Sequence, residues 1–263
     1  MSRKHSIWLV LVLMALPAVP GQAEETVDDV IAHYVETIGG KEALKAVDTM
    51  RMSGTMSMSG MQAPMTIEQK RPNKFRMEME IQGMKIIQAF DGEKAWGVMP
   101  MMGTTEPELL SEDLQNQLEG QAEFDGPLVD YKEKGHQVEL VGKEEVEGTE
   151  AYKLKVTRKN GDVVDVYLDT EYYLPFQMRA KVNMQGNEVN VTTKLGDYQE
   201  IGGILVPHSY EQVFEGVPAG ANMTFDKVEV NVGVDDARFT LPAKEEAKEE
   251  GKEEGKEEEK EEG

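Results

Sequence analysis

Seventeen methionines in a chain without cysteine are the residues whose type and spacing carry the most chemistry. Twelve of them fall between residues 50 and 102. Met50 and Met52, Met56 and Met58, and Met77 and Met79 are i, i+2 pairs, which places each pair on one face of an extended strand. A thioether is unbranched and polarisable, so a row of them makes an adaptable apolar surface. Where two or three sulfurs converge, the same row selects Cu(I). The lack of cysteine removes disulfides, thiolate metal sites and thiol nucleophiles together. Of the four histidines, His5 lies in an apolar leader, and His33, His136 and His208 stand apart from the methionine block. No G-x-S-x-G elbow, H-E-x-x-H, P-loop or strand-borne G-x-G-x-x-G occurs. The residues therefore assign no catalytic group, no resident metal and no cofactor.

The elements that must position these methionines follow from periodicity. Thr26 and Asp29 form a capping-box pair, and Val27, Val30, Ile31, Tyr34, Val35 and Ile38 recur at helical spacing until Gly39-Gly40. Beyond residue 47 period 2 dominates, as in Phe75-Met77-Met79-Ile81, Tyr152-Leu154-Val156, Val164-Val166-Leu168 and Phe176-Met178-Ala180-Val182-Met184. Turns such as Asn160-Gly161, Gln185-Gly186-Asn187 and Gly202-Gly203 separate the runs, so the pattern predicts ten to eleven strands in an antiparallel meander. So many half-apolar strands must pair with a second sheet or curl around their own inner face. One interruption, between Met102 and Tyr131, reads as helix, with Thr105 as its cap and Leu110, Leu114 and Leu118 on a narrow stripe. The fold class expected is mainly β with α: a strongly curved antiparallel sheet forming an unclosed half-barrel, with an N-terminal helix and inserted lid helices over an apolar cavity.

The two ends read differently from the middle. Residues 1–23 have a basic start, the apolar run Ile7 to Leu16 and a small-residue cleavage site near Ala23, the pattern of an export signal that is removed. That run is too short to span a bilayer, so no stable membrane anchor is expected. Residues 243–263 are a Lys/Glu repeat with five lysines against eleven glutamates and no large apolar side chain, which reads as a disordered tail. The domain is thus expected over 24–242. Net charge of −22 belongs mostly to that domain and argues against nucleic acid as a partner.

Several segments resemble one family. Tyr34-Val35-Glu36-Thr37-Ile38-Gly39-Gly40-Lys41-Glu42-Ala43-Leu44, Arg71-Pro72-Asn73-Lys74-Phe75-Arg76, Ala89-Phe90-Asp91-Gly92, Tyr167-Leu168-Asp169 and Leu174-Pro175 are similar to the outer-membrane lipoprotein-sorting family of LolA/LolB-like periplasmic proteins, from about residue 24 to 242. The resemblance implies a helix before an unclosed curved sheet, helices across its open side, and a hydrophobic cavity for lipoprotein acyl chains. It also implies a lid closed by polar contacts to a strand arginine, for which the strand arginines here are Arg51 and Arg76.

Together these readings give a non-enzymatic periplasmic protein that binds acyl chains of lipoproteins or lipids, as carrier or sensor, with transient envelope protein partners. The contacts expected are Met52, Met56, Met58, Met65, Met77, Met79, Ile81, Met84, Phe90, Trp96 and Met99, with Leu110 and Leu114 on the lid. The alternatives are a Met-based Cu(I) protein and a structural envelope module with a packed core.

Overall fold

The computed structural model describes residues 25–243 apart from Gln185, Ala219 and the side chain of Met184. The expected export segment and the Lys/Glu tail beyond residue 243 lie outside the described residues. In chain order the elements are α1 (Val27–Thr37), α2 (Gly40–Lys45), β1 (Thr49–Met58), β2 (Met61–Lys70), β3 (Lys74–Ile81), β4 (Met84–Phe90), β5 (Ala95–Met99) and β6 (Thr104–Leu109). Then come α3 (Glu112–Ala122), β7 (Gln137–Val146), β8 (Thr149–Thr157), β9 (Val163–Asp169), β10 (Pro175–Met184), β11 (Asn187–Ile201), β12 (Ile204–Phe214) and β13 (Ala221–Val230).

All thirteen strands join one antiparallel sheet in the order β6-β5-β4-β3-β2-β1-β13-β12-β11-β10-β9-β8-β7. This is two meanders fused where the first strand pairs with the last, Met50 opposite Val230 and Met58 opposite Ala221. The edges β6 and β7 do not pair, so the half-barrel is unclosed, as the periodicity and the resemblance predicted. Inward residues of β1–β3 and of β8–β10 share one core with α1 and with Leu128, Val129 and Tyr131. A sheet this wide surrounds those segments by curling.

The capping box at α1 is present, the Thr26 side chain accepting from Asp29 N–H and the Asp29 carboxylate accepting from Thr26 N–H. Asp91 Oδ1 accepts from the amides of Glu93 and Lys94 and closes the β4–β5 hairpin, with Gly92 at φ +107°. Two expectations are corrected. There are thirteen strands among the described residues rather than ten to eleven. The stretch after Met102 is first the edge strand β6, where Pro107 is tolerated because an edge leaves half its amides unpaired. The helix therefore starts after Ser111, not at Thr105, and Leu110 precedes it.

The convex face is held by charge. Glu229, Arg51, Glu68 and Arg76 stand side by side on β13, β1, β2 and β3. Glu68 is buried there, accepting from Arg51 Nε at 2.9 Å and from Arg238 Nε at 2.5 Å. The chain beyond β13 doubles back over this row as a strap. Thr49 Oγ1 donates to Val232 O at 2.7 Å, Lys70 Nζ to Val234 O at 3.0 Å, Arg76 Nη1 to Arg238 O at 2.6 Å and Trp96 Nε1 to Phe239 O at 2.6 Å.

Glu78 ties this strap to β3, accepting from Arg76 Nε at 2.6 Å and Arg238 Nη2 at 2.9 Å. Burial works to raise its pKa, but hydrogen bonds and charge from Lys85 and Arg76 outweigh burial and hold the carboxyl at about 2 against an ordinary 4.5. A depressed folded-state pKa means stability that is complete above pH 4.5 and is lost as pH falls toward 2. Glu78→Gln is expected to cost about 2 kcal/mol in urea unfolding at pH 7. The gap from wild type should narrow steadily below pH 4.5; a constant gap down to pH 3 would show that the carboxylate charge is not what holds the strap.

Candidate functional site

Strand register arranges the inner face of β1 to β5 in rows. Deepest are Met50, Gln69, Phe75, Phe90 and Ala95; next are Met52, Ile67, Met77, Gln88 and Gly97; then Gly54, Met65, Met79 and Ile86. Nearer the open end are Met56 beside Ala63 and Ile81 beside Met84, and at the rim Met58 faces Met61. The sequence-predicted residues thus come together on one face with a single clear exception. Met52, Met65 and Met79 belong to the main core, and Met56, Met77 and Ile81 pack against it. Phe90 sits with Phe75 and Ala95 in a second cluster, where Leu110 packs from above. Met99 accepts from Gln88 Nε2 at 3.5 Å. Leu114 is half-buried on α3.

The exception is Trp96. Ala95 faces inward, so Trp96 points to the convex side, where Arg76 lies 5.3 Å from its ring centroid and the strap carbonyl takes its N–H. Its apolar bulk argued for the interior, but a buried indole also needs an acceptor, and the strap supplies one. Met52, Met65 and Met79 are only 7%, 2% and 9% exposed, while Ile67, Met77 and Ile86 in the same rows are half-buried. Burial pushes the Tyr34 and Tyr210 hydroxyls up.

The cover over the deep row is α3 and the segment that follows it. Leu118 and Ala122 bury themselves against Phe75, Phe90 and Ala95, while Glu112, Asp113 and Glu119 face water. Polar contacts fasten its far end. Gln69 Nε2 donates to Gln121 O at 2.9 Å. Arg71 donates through both Nη atoms to the Asp125 carboxylate at 2.5 and 2.6 Å, through Nε to Val47 O at 2.8 Å, and lies 4.5 Å from the Phe124 ring centroid. The Glu123 carboxylate meets His136 Nε2, while His136 Nδ1 accepts from Lys159 N–H at 3.1 Å, and Arg158 lies 3.6 Å away on Glu123 Oε2. Gly120 is where Arg158 passes: a Cβ there would meet its Nη1 at 1.8 Å.

This clasp joins the β2 end to the β7–β8 side of the opening, and local sequence does not announce it. Neither Arg51 nor Arg76 serves it, since both lie on the convex face. A surface cleft of about 460 Å³ lies between α1 and residues 128–133, bordered by the ion pairs Lys41–Asp130 and Lys132–Asp28, and none of the predicted residues line it.

No family model matches the chain, and no curated protein sequence matches it. Solved structures share its fold. A DUF1329 family protein from Desulfovibrio piger superposes with a TM-score of 0.57 at 14% identity, covering 82% of this chain and 98% of that one. A LolA superfamily protein from Nitrosomonas europaea gives 0.56 at 13% identity, with 82% and 98% covered. A domain described as an outer membrane lipoprotein-sorting protein, from Vibrio parahaemolyticus, gives 0.55 at 11% identity, with 83% and 97% covered. The chain therefore has the LolA-like fold that its segments resemble.

Removing one partner of the Arg71–Asp125 pair leaves the other charge largely buried and unpaired, with exposures of 24% and 13% before removal. Asp125→Ala is expected to cost about 2–4 kcal/mol in urea unfolding. Amide exchange should rise first in α3 and residues 123–136, while β1 and β13 stay protected. Uniform loss of protection across the sheet would mean that the pair anchors the whole fold and not the cover.

Proposed function

We propose that this half-barrel binds acyl chains of lipoproteins or lipids in its methionine-lined interior and acts in the periplasm as a carrier or sensor, without catalysis. The observation that carries the reading is the α3 part of the cover: over the deep row of β3 to β5 the apolar inner face is closed by one eleven-residue helix with two buried apolar side chains, fastened at its end by polar pairs. Burying Leu118 contributes about 1.5–3 kcal/mol, and the clasp adds a similar amount. Lifting the cover thus costs on the order of 5 kcal/mol, which is within the range of local opening. Removing an acyl chain of about 16 carbons from water gains roughly 13 kcal/mol at about 0.8 kcal/mol per CH2. Cargo that enters the opened interior outweighs the cost of opening it.

The methionine lining suits this. Leu or Ile would fix the interior volume, whereas methionine side chains rotate about three bonds and withdraw to let an alkyl chain replace their own contacts. The LolA-like fold and the lipoprotein-sorting description of the Vibrio structure support the cargo class. The leader expected at 1–23 supports export, and protein partners in the envelope would supply and receive the cargo.

The absence of cysteine gives a clean test. Gln69→Cys with Gln121→Cys introduces two thiols on either side of the cover's edge, separated by the length of a glutamine side chain, a span suited to a short cleavable bis-maleimide cross-linker and too long for a direct disulfide. The cross-linked form is expected to take up a fluorescent palmitoyl lipid at least tenfold more weakly than the uncross-linked form, with uptake restored by cleaving the linker. Equal uptake in both states, with the cross-link confirmed by mass, would reject entry under α3. Native mass spectrometry of the exported wild-type chain should show co-purified lipid, and a bare chain that also fails to take up the palmitoyl lipid would reject the cargo class itself.

A further inference from the structure

Four methionines converge at the open end of the sheet, Met56 and Met223 packing against the core and Met58 and Met61 standing at its exposed rim. Met56 and Met58 share the inner face of β1. Met58 stands directly opposite Met61 on β2, and Met56 directly opposite Met223 on β13. The remaining positions of this patch are alanines, Ala63 opposite Met56 and Ala221 opposite Met58. Directly opposed residues in an antiparallel pair have Cβ atoms about 4.5–5.5 Å apart, a gap that two methionine side chains span easily. Ala63 and Ala221 are 4% and 1% exposed, covered by the longer chains around them, whereas Met58 and Met61 are 39% and 44% exposed. Met56 and Met223 are half-buried beneath these two exposed side chains.

We propose that Met56, Met58, Met61 and Met223 form a Cu(I) site in which at least three thioethers ligate the ion at the mouth of the half-barrel. Soft, uncharged sulfur donors favour Cu(I) over Zn2+ or Mg2+. Gln82 Nε2 donates to Met61 Sδ at 3.9 Å, so that sulfur already presents a lone pair toward the rim and away from the core. The residues that interleave the patch, Ser57, Gln62 and Asn222, are uncharged, so no fixed cation opposes the ion. A net charge of −22 raises the local concentration of any cation. Thioethers do not titrate, so the site needs no deprotonation to bind. Among the described residues no cluster of His, Cys, Asp and Glu offers a harder competing site. The site adjoins the acyl-binding face at its outer end, since Met56 and Met58 belong to both.

The test is anaerobic titration of the full chain with Cu(I) against the chromogenic chelator bicinchoninate. Wild type is expected to withdraw one equivalent, and Met58→Leu with Met61→Leu, which keeps volume and apolarity at the rim, to bind at least tenfold more weakly. Met52→Leu, a buried thioether on the same strand, should bind as wild type does. Circular dichroism and urea unfolding, unchanged in the Leu variants, would show that the fold is intact. Failure of wild type to compete with the chelator overturns the proposal, as does equal affinity in the double variant.

Discussion

A sheet that curls without closing must find cover for an inner face too apolar to leave wet, and everything else in this molecule answers that constraint. Thirteen strands give the face its width, and the pairing of β1 with β13 fixes its centre. The cover comes from α1 and residues 128–131 at one part and from α3 at another. A closed barrel would need neither. Because these pieces belong to helices and connecting chain, they are attached by side-chain contacts and isolated backbone bonds such as Leu205 N–H to Ile38 O, and not by the continuous ladder that joins strand to strand. The sheet is consequently the stable partner and the cover the labile one.

The two faces are specified by different physics. On the convex side, Arg51 pairs with Glu68 across β1 and β2, Arg76 pairs with Glu78, and Arg238 of the returning strap pairs with both carboxylates. Each group there has a directional partner, so the arrangement admits one geometry. On the concave side thioethers supply contact without direction. Substituting β-branched residues would sharpen packing and raise strand propensity, yet it would fix the interior volume as well. A rigid back with an adaptable front is what a container requires when its contents change.

Much of this was legible in the sequence, for identifiable reasons. Period 2 put Met77, Met79 and Ile81 on the inner face, and the Thr26–Asp29 box and the Asp91-Gly92 turn are signals local enough to read directly. Phe176 illustrates the limit: it shares parity with Met178, but a bulge between Pro175 and Gln177 shifts the register and packs it with Val146, Ala151 and Tyr167. Trp96 was misplaced because its neighbours Ala95 and Gly97 carry no alternation signal, and its acceptor at Phe239 is 143 residues away. Arg71 and Asp125 are 54 residues apart in a chain rich in both charges. Composition cannot single out one such pair, since only the folded path of α3 brings them together.

Charge bears finally on how an apolar cargo would reach such a container. At −22 the chain is repelled at long range by an anionic leaflet, and this repulsion extends about a Debye length, roughly 8 Å at physiological ionic strength. Among the described residues no helix is long and apolar enough to cross a membrane. The exposed apolar side chains toward the mouth, among them Met58, Met61, Met101, Met102 and Val213, gain about 1.5–3 kcal/mol each only once they are fully buried, and so act on contact and not during the approach. On the acyl-binding reading, the approach to a bilayer is therefore the opposed step, and a protein that holds the lipid away from the anionic surface removes it. The same repulsion then favours departure of the loaded container, so affinity for the cargo is not spent on leaving the membrane.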